Sequence, residues 1–230
     1  FAFTGDEERG MKGIRAFTQH PWAQNVGVVL GLEGRGYHGP SYMFETSPGN
    51  YWLIQQLCKA GVSPRANSLM YEVHRRTPNA TDYGAIKNDG FPGYNVSFVG
   101  GLCCYHSASD KPANLSPASI QHHGAYALGL ARYFGNLPSA EFKKARQADS
   151  DAVYANVFGS WLVCYPACYS RPIAWIAGAA FAAAVALGFL RRRLKLRDMV
   201  FGALGLLGAA LAAGLVTGGL LWVAYRVHGV

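Results

Sequence analysis

Apolar residues follow two different spacings along the first 135 residues of the chain. Residues 26–32 are continuously apolar, which is typical of a strand covered on both faces. Shorter segments at residues 1–4, 42–46 and 94–99 also predict strands. Helical spacing and helix start signals predict helices between and after these strands, at residues 10–20, 50–60, 82–88 and 116–133.

The alternation of strands and helices predicts an α/β domain, with a mixed, mainly parallel sheet flanked by helices. Functional side chains of such domains lie in the loops at the ends of the strands. Glu7 and Glu8 follow the first predicted strand, Glu33 follows the second, and His106 lies in the loop after the strand at 94–99. The sequence therefore predicts a functional site at one edge of the sheet.

The adjacent acids Glu7 and Glu8 fit the division of labour in a hydrolytic zinc site. One carboxylate can face a metal while the other faces the water that the metal activates. An arbitrary Glu-Glu pair is more often a solvated acidic loop, because charged residues are rarely buried. The placement of Glu33 and His106 at strand ends on the same sheet edge favours a site over a solvated loop.

Two uncharged stretches near the end of the chain predict membrane spans. Residues 172–190 form a stretch of nineteen residues without a charge, and residues 199–225 form a second uncharged stretch. Each is long enough to cross a bilayer as a helix. Buried core helices are the alternative, but two such stretches are hard to bury in a small soluble domain. We expect the lipid bilayer to be a partner of this chain.

The net charge of +8 is unevenly distributed. Residues 1–170 carry a formal charge of +2, and residues 171–230 carry +6, mostly in the loop at 191–198. A basic loop between two spans indicates a cytoplasmic loop under the positive-inside rule, so it is not a nucleic-acid signal. We therefore expect residues 1–170 on the non-cytoplasmic side: the endoplasmic reticulum lumen, the periplasm or the cell exterior.

The five cysteines are compatible with an oxidising compartment. Cys164 and Cys168 can form a disulfide, but pairing cannot be read from sequence. No zinc-finger layout with two close ligand pairs occurs.

Five segments, in their order along the chain, resemble the co-catalytic zinc exopeptidases of the aminopeptidase Y and glutamate carboxypeptidase type. The similarity is greatest to the membrane-bound, endoplasmic reticulum metallopeptidase-like branch of that family, and it covers roughly residues 1–135. The segments are Gly5-Asp6-Glu7-Glu8 with Gly10 and Gly13, Leu32-Glu33-Gly34-Arg35-Gly36, Phe44-Glu45-Thr46-Ser47-Pro48-Gly49-Asn50, Thr81-Asp82-Tyr83, and Tyr105-His106-Ser107 with Asp110.

The resemblance implies a role for each candidate residue in a site with two zinc ions. Glu7 is the general base that takes a proton from the attacking water, and Glu8 shares one zinc with His106. Glu33 is a terminal ligand of the second zinc, where many relatives have aspartate. Tyr105 donates a hydrogen bond to the developing oxyanion of the tetrahedral intermediate.

Arg35 and Asp82 are less closely tied to the chemistry. Arg35 can face a peptide substrate or form a structural salt bridge, and Asp82 can cap the helix that it begins. We do not assign a catalytic role to either residue.

The chain departs from the family in one respect. Relatives also use a histidine and a metal-bridging aspartate upstream of the acid pair, whereas only six residues precede Glu7 here. The chain also begins at Phe1, without a starting methionine. We therefore expect a piece of a longer zinc peptidase that binds zinc weakly and is inactive by itself.

These expectations divide the chain into five segments. They are the C-terminal part of a zinc peptidase domain at residues 1–137, a linker and membrane-proximal segment at 138–171, a transmembrane helix at 172–190, a basic cytoplasmic loop at 191–198, and a transmembrane helix at 199–225.

Two functions follow as hypotheses. The first is a membrane-anchored zinc exopeptidase, an aminopeptidase in the favoured version, that hydrolyses peptides. The second is a catalytically dead, peptidase-like ectodomain that acts as a membrane-anchored binding module. A transporter is disfavoured because the spans lack ionisable residues. Peptide specificity and oligomeric state stay open.

Overall fold

The chain forms two compact units, Phe1–Ser170 and Arg171–Val230. This computed structural model describes residues 2–77, 80–147, 149–159 and 161–228. The first unit carries the sheet and all of the candidate site residues, and the second carries the two long apolar helices.

A three-stranded sheet forms the centre of the first unit. Its strands are β1 (Val29–Gly34), β2 (His38–Thr46) and β3 (Gly93–Gly100), in the order β1-β3-β2. Strand β3 pairs in parallel with β1 and antiparallel with β2. The mixed sheet is therefore confirmed, and so are the strands predicted at 26–32, 42–46 and 94–99, with shifted ends.

Helices flank the sheet, as predicted. The helices of the first unit are α1 (Lys12–Thr18), α2 (Tyr51–Lys59), α3 (Ser68–His74), α4 (Asp82–Ile86), α5 (Pro117–Gly135) and α6 (Phe142–Gln147). All four predicted helices are present, with shifted ends, and α3 and α6 are additional helices.

The strand expected at residues 1–4 is absent. Residues 2–4 have no regular secondary structure, and Phe3 is 98% exposed. A strand needs a neighbouring strand to satisfy its backbone groups. Within the described part of the chain, no strand pairs with these residues, so their apolar character alone does not produce one.

Two hydrophobic clusters cover the opposite faces of the sheet. The larger contains Met43, Val96 and Leu30, and the smaller contains Val29 together with side chains of α1 and α4. Val29 and Leu30 are successive residues of β1, so their side chains point to opposite faces. Burial on both faces explains why residues 26–32, which include most of β1, form a continuous apolar run.

Residues 138–166 add secondary structure to the same unit. After α6, the strands β4 (Ala152–Val157) and β5 (Trp161–Pro166) form an antiparallel hairpin. Ala152 and Tyr154 of this hairpin are buried in the larger cluster. The segment before the apolar helices is therefore packed against the sheet domain.

The second unit consists of helices α7 (Ser170–Leu190) and α8 (Leu196–His228). Segments of 24 and 25 residues, Ala167–Leu190 and Leu196–Leu220, are long and apolar enough to cross a membrane, with a mean hydropathy of 2.2 each. Their side chains are not buried within the protein. Such exposed apolar helices fit a lipid environment rather than a protein core.

Candidate active site

The acids Glu7 and Glu8 lie on a short 3-10 turn, Glu7–Arg9, that precedes α1. The amide of Gly13 donates a hydrogen bond of 3.0 Å to the carbonyl oxygen of Gly5, which closes the segment around this turn. A Cβ atom at position 13 would lie 2.5 Å from that oxygen, so the close approach requires glycine. The turn places the two carboxylates differently, because Glu7 is partly buried and Glu8 is exposed.

The side chains of Glu8 and His106 meet although they are 98 positions apart. His106 Nε2 lies 2.7 Å from Glu8 Oε1. The Tyr105 ring stacks on the His106 ring, with centroids 3.9 Å apart and planes inclined by 21°. The Arg35 guanidinium lies over the Tyr105 ring, with its Cζ atom 5.7 Å from the ring centroid. These four side chains come from three separate segments of the chain.

The backbone is left-handed at two positions beside this contact. Asp6 has a φ of 59° and His106 has a φ of 54°. Asp and His adopt this conformation more readily than most residues, but it still costs on the order of 1 kcal/mol each. Such conformations persist where the surrounding structure holds them, and they cluster at functional sites.

Glu33 lies near the C-terminal end of β1, opposite Ser97 of β3. Because β1 and β3 are parallel, the segment that follows β3 emerges at the same sheet edge, and that segment carries Tyr105 and His106. Burial raises the pKa of Glu33, a hydrogen bond with Asn95 opposes the rise, and the charge of Glu7 adds to it. The carboxyl groups of Glu7 and Glu33 therefore interact electrostatically.

The pKa of Glu7 is also raised. Partial burial is the largest cause, followed by the negative charges of Glu8 and Asp82. The positive charges of Arg35 and His106 oppose the rise. A carboxylate with a raised pKa accepts a proton more readily at neutral pH than an ordinary glutamate, which suits a general base.

Asp82 does not cap the helix that it begins. The N-cap of α4 is Thr81, whose hydroxyl accepts a hydrogen bond of 2.8 Å from the amide of Gly84. The Asp82 carboxylate instead accepts a hydrogen bond from the Thr4 hydroxyl through Oδ2. Among the described residues, no group hydrogen-bonds to its buried Oδ1. Because its charge raises the pKa of Glu7, Asp82 is a fourth acid in the neighbourhood of the site, after Glu7, Glu8 and Glu33.

A buried glutamate, Glu45 of β2, supports the turn that carries Asp82. Glu45 accepts hydrogen bonds from Lys87 Nζ at 2.8 Å, Thr81 Oγ1 at 3.0 Å and Asn95 Nδ2 at 3.1 Å. His74 Nε2 lies 3.6 Å from the same carboxylate. Burial raises the pKa of Glu45, but the hydrogen bonds of His74, Lys87 and Asn95 outweigh it and lower the pKa to about 2. Glu45 is therefore a structural anion.

The donor atoms of the site are suitable for zinc, which accepts imidazole nitrogen and carboxylate oxygen as ligands. Glu8 and His106 supply one donor of each kind and already converge. Among the residues that the structure describes, however, no group of three or more His, Cys, Asp or Glu side chains converges on one point. Glu8 and His106 thus fit part of a zinc ligand set.

Comparison with known protein families identifies the family of this chain. The model of peptidase family M28 matches residues 1–131, which include the acid pair, Glu33 and the Tyr105-His106 pair. The chain belongs to peptidase family M28. No solved structure matches it.

Relatives of this M28 chain include named membrane proteases. It is 30% identical over 171 residues to endoplasmic reticulum metallopeptidase 1 of Homo sapiens, covering 72% of this chain and 19% of the relative. It is 29% identical over 174 residues to the Rattus norvegicus protein of the same name, with the same coverage. It is 31% identical over 174 residues to a vacuolar membrane protease of Eremothecium gossypii, covering 73% of this chain and 16% of the relative.

These matches confirm the resemblance to the membrane-bound metallopeptidase branch. The chain spans about a fifth of the length of endoplasmic reticulum metallopeptidase 1. The family supports a peptidase, and the donor atoms at Glu8 and His106 agree with its metal dependence.

Proposed function

We propose that this chain forms part of a membrane-anchored, zinc-dependent exopeptidase, an aminopeptidase, that hydrolyses peptides. The observation that carries the proposal is the 2.7 Å contact between Glu8 and His106, next to Glu7, a partly buried carboxyl group with a raised pKa. A ligand pair and a general base are thus assembled from segments far apart in the sequence, within a chain of family M28.

Each side chain has one task in this proposal. Glu8 and His106 would hold one zinc, and Glu33 would be a ligand of the second. Bound zinc ions supply Lewis acidity, which polarises the scissile carbonyl and acidifies the attacking water. Glu7 takes the proton from that water and passes it to the leaving amine.

Tyr105 and Arg35 complete the proposed site. The Tyr105 hydroxyl donates a hydrogen bond to the oxyanion that develops on the scissile carbonyl. Arg35 faces the peptide substrate from above the Tyr105 ring, where its guanidinium is held by a cation–π contact. Its positive charge also moderates the rise in the pKa of Glu7.

The proposed location follows from the charges and from the apolar helices. Helices α7 and α8 anchor the protein in a membrane, and the basic segment 191–198, which joins α7 to α8 and includes the first residues of α8, lies in the cytoplasm. The peptidase unit is then on the non-cytoplasmic side. The relatives named for the endoplasmic reticulum and for the vacuolar membrane agree with an internal membrane as the location.

One observation favours the second candidate, a peptidase-like binding module without catalysis. Fewer than three potential ligands converge on any point in the described part of the chain. On the same ground, we propose that the 230-residue chain by itself holds zinc too weakly for turnover. Metal content and turnover distinguish the two functions.

The test compares Glu7→Gln, Glu8→Gln and a control, Glu72→Gln, in the full-length gene product purified in detergent. Glu72 is a partly exposed glutamate of α3, outside the site. We expect Glu7→Gln to retain zinc by elemental analysis and to lose roughly 10²–10⁴-fold of its turnover. Glu8→Gln should lose both zinc and turnover, and Glu72→Gln neither.

The substrates are peptides with a free or an acetylated amino terminus. An aminopeptidase hydrolyses only the free form, so equal hydrolysis of both would refute aminopeptidase action. A full-length protein without zinc and turnover would support the binding module. The 230-residue chain is assayed in parallel, and tight zinc binding with turnover there would contradict its proposed inactivity.

A further inference from the structure

Two cysteines from distant parts of the chain lie side by side. Cys58 is in the last turn of α2, and Cys164 is in β5. They are 106 positions apart, yet their Sγ atoms are separated by 3.7 Å. The Cys58 thiol is also 3.5 Å from the carbonyl oxygen of Leu162, to which it can donate. Both are free thiols, and a bond between them requires the sulfurs to approach to about 2.05 Å.

Packing holds the two elements in place around this pair. Leu57, which precedes Cys58, and Tyr154, which pairs with Cys164 in the hairpin, are both buried in the larger cluster. At the other end of α2, the Asn50 Oδ1 atom accepts a hydrogen bond of 2.7 Å from the amide of Ala152. Because both ends of α2 contact the hairpin, the packing of these two elements fixes the two thiols close together.

We propose that Cys58 and Cys164 form a disulfide that links α2 to the β4–β5 hairpin when the domain meets an oxidising environment. Cys58 is exposed, so an oxidant can reach the pair. The bond would cross-link the sheet domain to the hairpin that directly precedes α7 in the sequence. The closed loop contains β3, Tyr105 and His106.

The chemistry is thiol–disulfide exchange with a small disulfide such as oxidised glutathione. The Cys164 thiolate attacks one sulfur of the oxidant and releases one glutathione thiolate. The Cys58 thiol then loses its proton and attacks the Cys164 sulfur, releasing the second glutathione. Two protein thiols are oxidised, one glutathione disulfide is reduced, and the two protons end on the released thiolates.

The order of the two attacks follows from the environment of Cys58. Although Cys58 is exposed as a residue, partial burial of its thiol, followed by the neighbouring Cys164 sulfur, raises the pKa of that thiol to about 12. Since the thiolate is the attacking species, Cys58 is a poor first nucleophile. We therefore expect the mixed disulfide to form on Cys164.

The sequence also allows a pairing of Cys164 with Cys168, only four positions away. Cys168 is exposed in a short turn that follows β5. The two pairings compete for the same Cys164 sulfur, so a map of the linked peptides decides between them.

The test uses the full-length protein, reduced in detergent and then treated with oxidised glutathione. After alkylation and proteolysis, mass spectrometry should find a linked Cys58–Cys164 peptide. It should be absent from Cys58→Ser and present in the matched control Cys168→Ser. Oxidation should raise the melting temperature by roughly 10 °C in the wild type and in the control only.

Two outcomes would overturn the pairing: a Cys164–Cys168 peptide in place of the expected one, or free Cys58 and Cys164 thiols after oxidation. If Cys58→Ser does not fold, comparison of reduced and oxidised wild type gives the same decision. Presence of the bond in cells rests on the proposed non-cytoplasmic location. A bond that forms in detergent but not in alkylated cells contradicts that location and still supports the pairing.

Discussion

The buried carboxylate of Glu45 gives the sharpest prediction about stability. We consider the substitution Glu45→Gln, which keeps the size of the side chain and removes its charge. The Lys87 ammonium, with a side chain only 16% exposed, then loses its carboxylate partner. Removal of one partner from a buried ion pair is strongly destabilising, because the other charge stays buried without compensation.

The magnitude follows from the pKa of Glu45. It falls from the ordinary value of 4.5 to about 2 in the folded protein. Each pKa unit corresponds to about 1.4 kcal/mol, so the ionised form contributes about 3 kcal/mol to the free energy of unfolding at neutral pH. Glu45→Gln should lower the melting temperature at pH 7 by roughly 6–12 °C.

The sign of the pH dependence is also fixed. A carboxyl group with a lowered folded-state pKa stabilises the fold fully above its unfolded pKa, and this stability is lost as the pH falls through the folded value. The difference between wild type and Glu45→Gln should therefore be constant above about pH 4.5 and disappear near pH 2.

The assay is thermal unfolding of the full-length protein, followed by tryptophan fluorescence between pH 7 and pH 3. Glu72→Gln is the matched control, because Glu72 is partly exposed and pairs with Arg75 and Arg76 on the surface of α3. The loss of such a surface pair costs less than about 1 kcal/mol. Equal shifts in the two variants, or a Glu45→Gln shift that persists undiminished at pH 3, would refute the reasoning.

Two further predictions concern a histidine and a backbone contact. Burial, followed by the charge of His122, lowers the pKa of His123 to about 4. The neutral form therefore stabilises the folded protein above the ordinary pKa of 6.5, and this contribution to the free energy of unfolding is lost as the pH falls from 6.5 to about 4. His123→Asn should flatten the melting-temperature profile across this window, and an unchanged slope would contradict the prediction. Gly93→Ala places a Cβ 2.1 Å from the carbonyl oxygen of Val29 in β1 and should cost about 3 kcal/mol in denaturant unfolding. Gly124→Ala, with nothing within 4 Å, should instead stabilise α5 by up to about 1 kcal/mol, so equal losses would refute this view of the packing.

The sequence predicted the buried strands of the sheet better than the exposed helix α3. The continuous apolar run at residues 26–32 predicted β1, and the segment at 94–99 predicted β3, before their pairing was known. Helix α3 was not predicted because its apolar side chains do not mark a buried face. Leu69 is 73% exposed and Val73 is 55% exposed. Periodicity reports burial, so a helix without a fully buried residue gives little signal.

In the candidate site too, the sequence patterns predicted which residues take part but not their detailed backbone conformation or hydrogen bonds. The resemblance to the zinc exopeptidases implied that Glu8 and His106 belong together, and the structure adds a left-handed backbone at His106 beside their contact. Nothing in a hydrophobic pattern encodes that conformation. Asp82 was a candidate cap of α4 because Asp is a good capping residue, whereas the Thr81 hydroxyl occupies the position. This leaves the Asp82 carboxylate available to the site.

The electrostatics of the site link metal binding to stability. The charge of Asp82 raises the pKa of both Glu7 and Glu33, so these three acids destabilise one another in the folded state. Burial is the largest cause of both raised pKa values, and the charge of Arg35 opposes the repulsion among the acids. A divalent cation bound near these acids would remove most of the repulsion, and a ligand that binds only the folded state stabilises it. The repulsion among these neighbouring acids thus lowers the free energy of unfolding of the metal-free protein, and zinc, bound as proposed, would offset this loss.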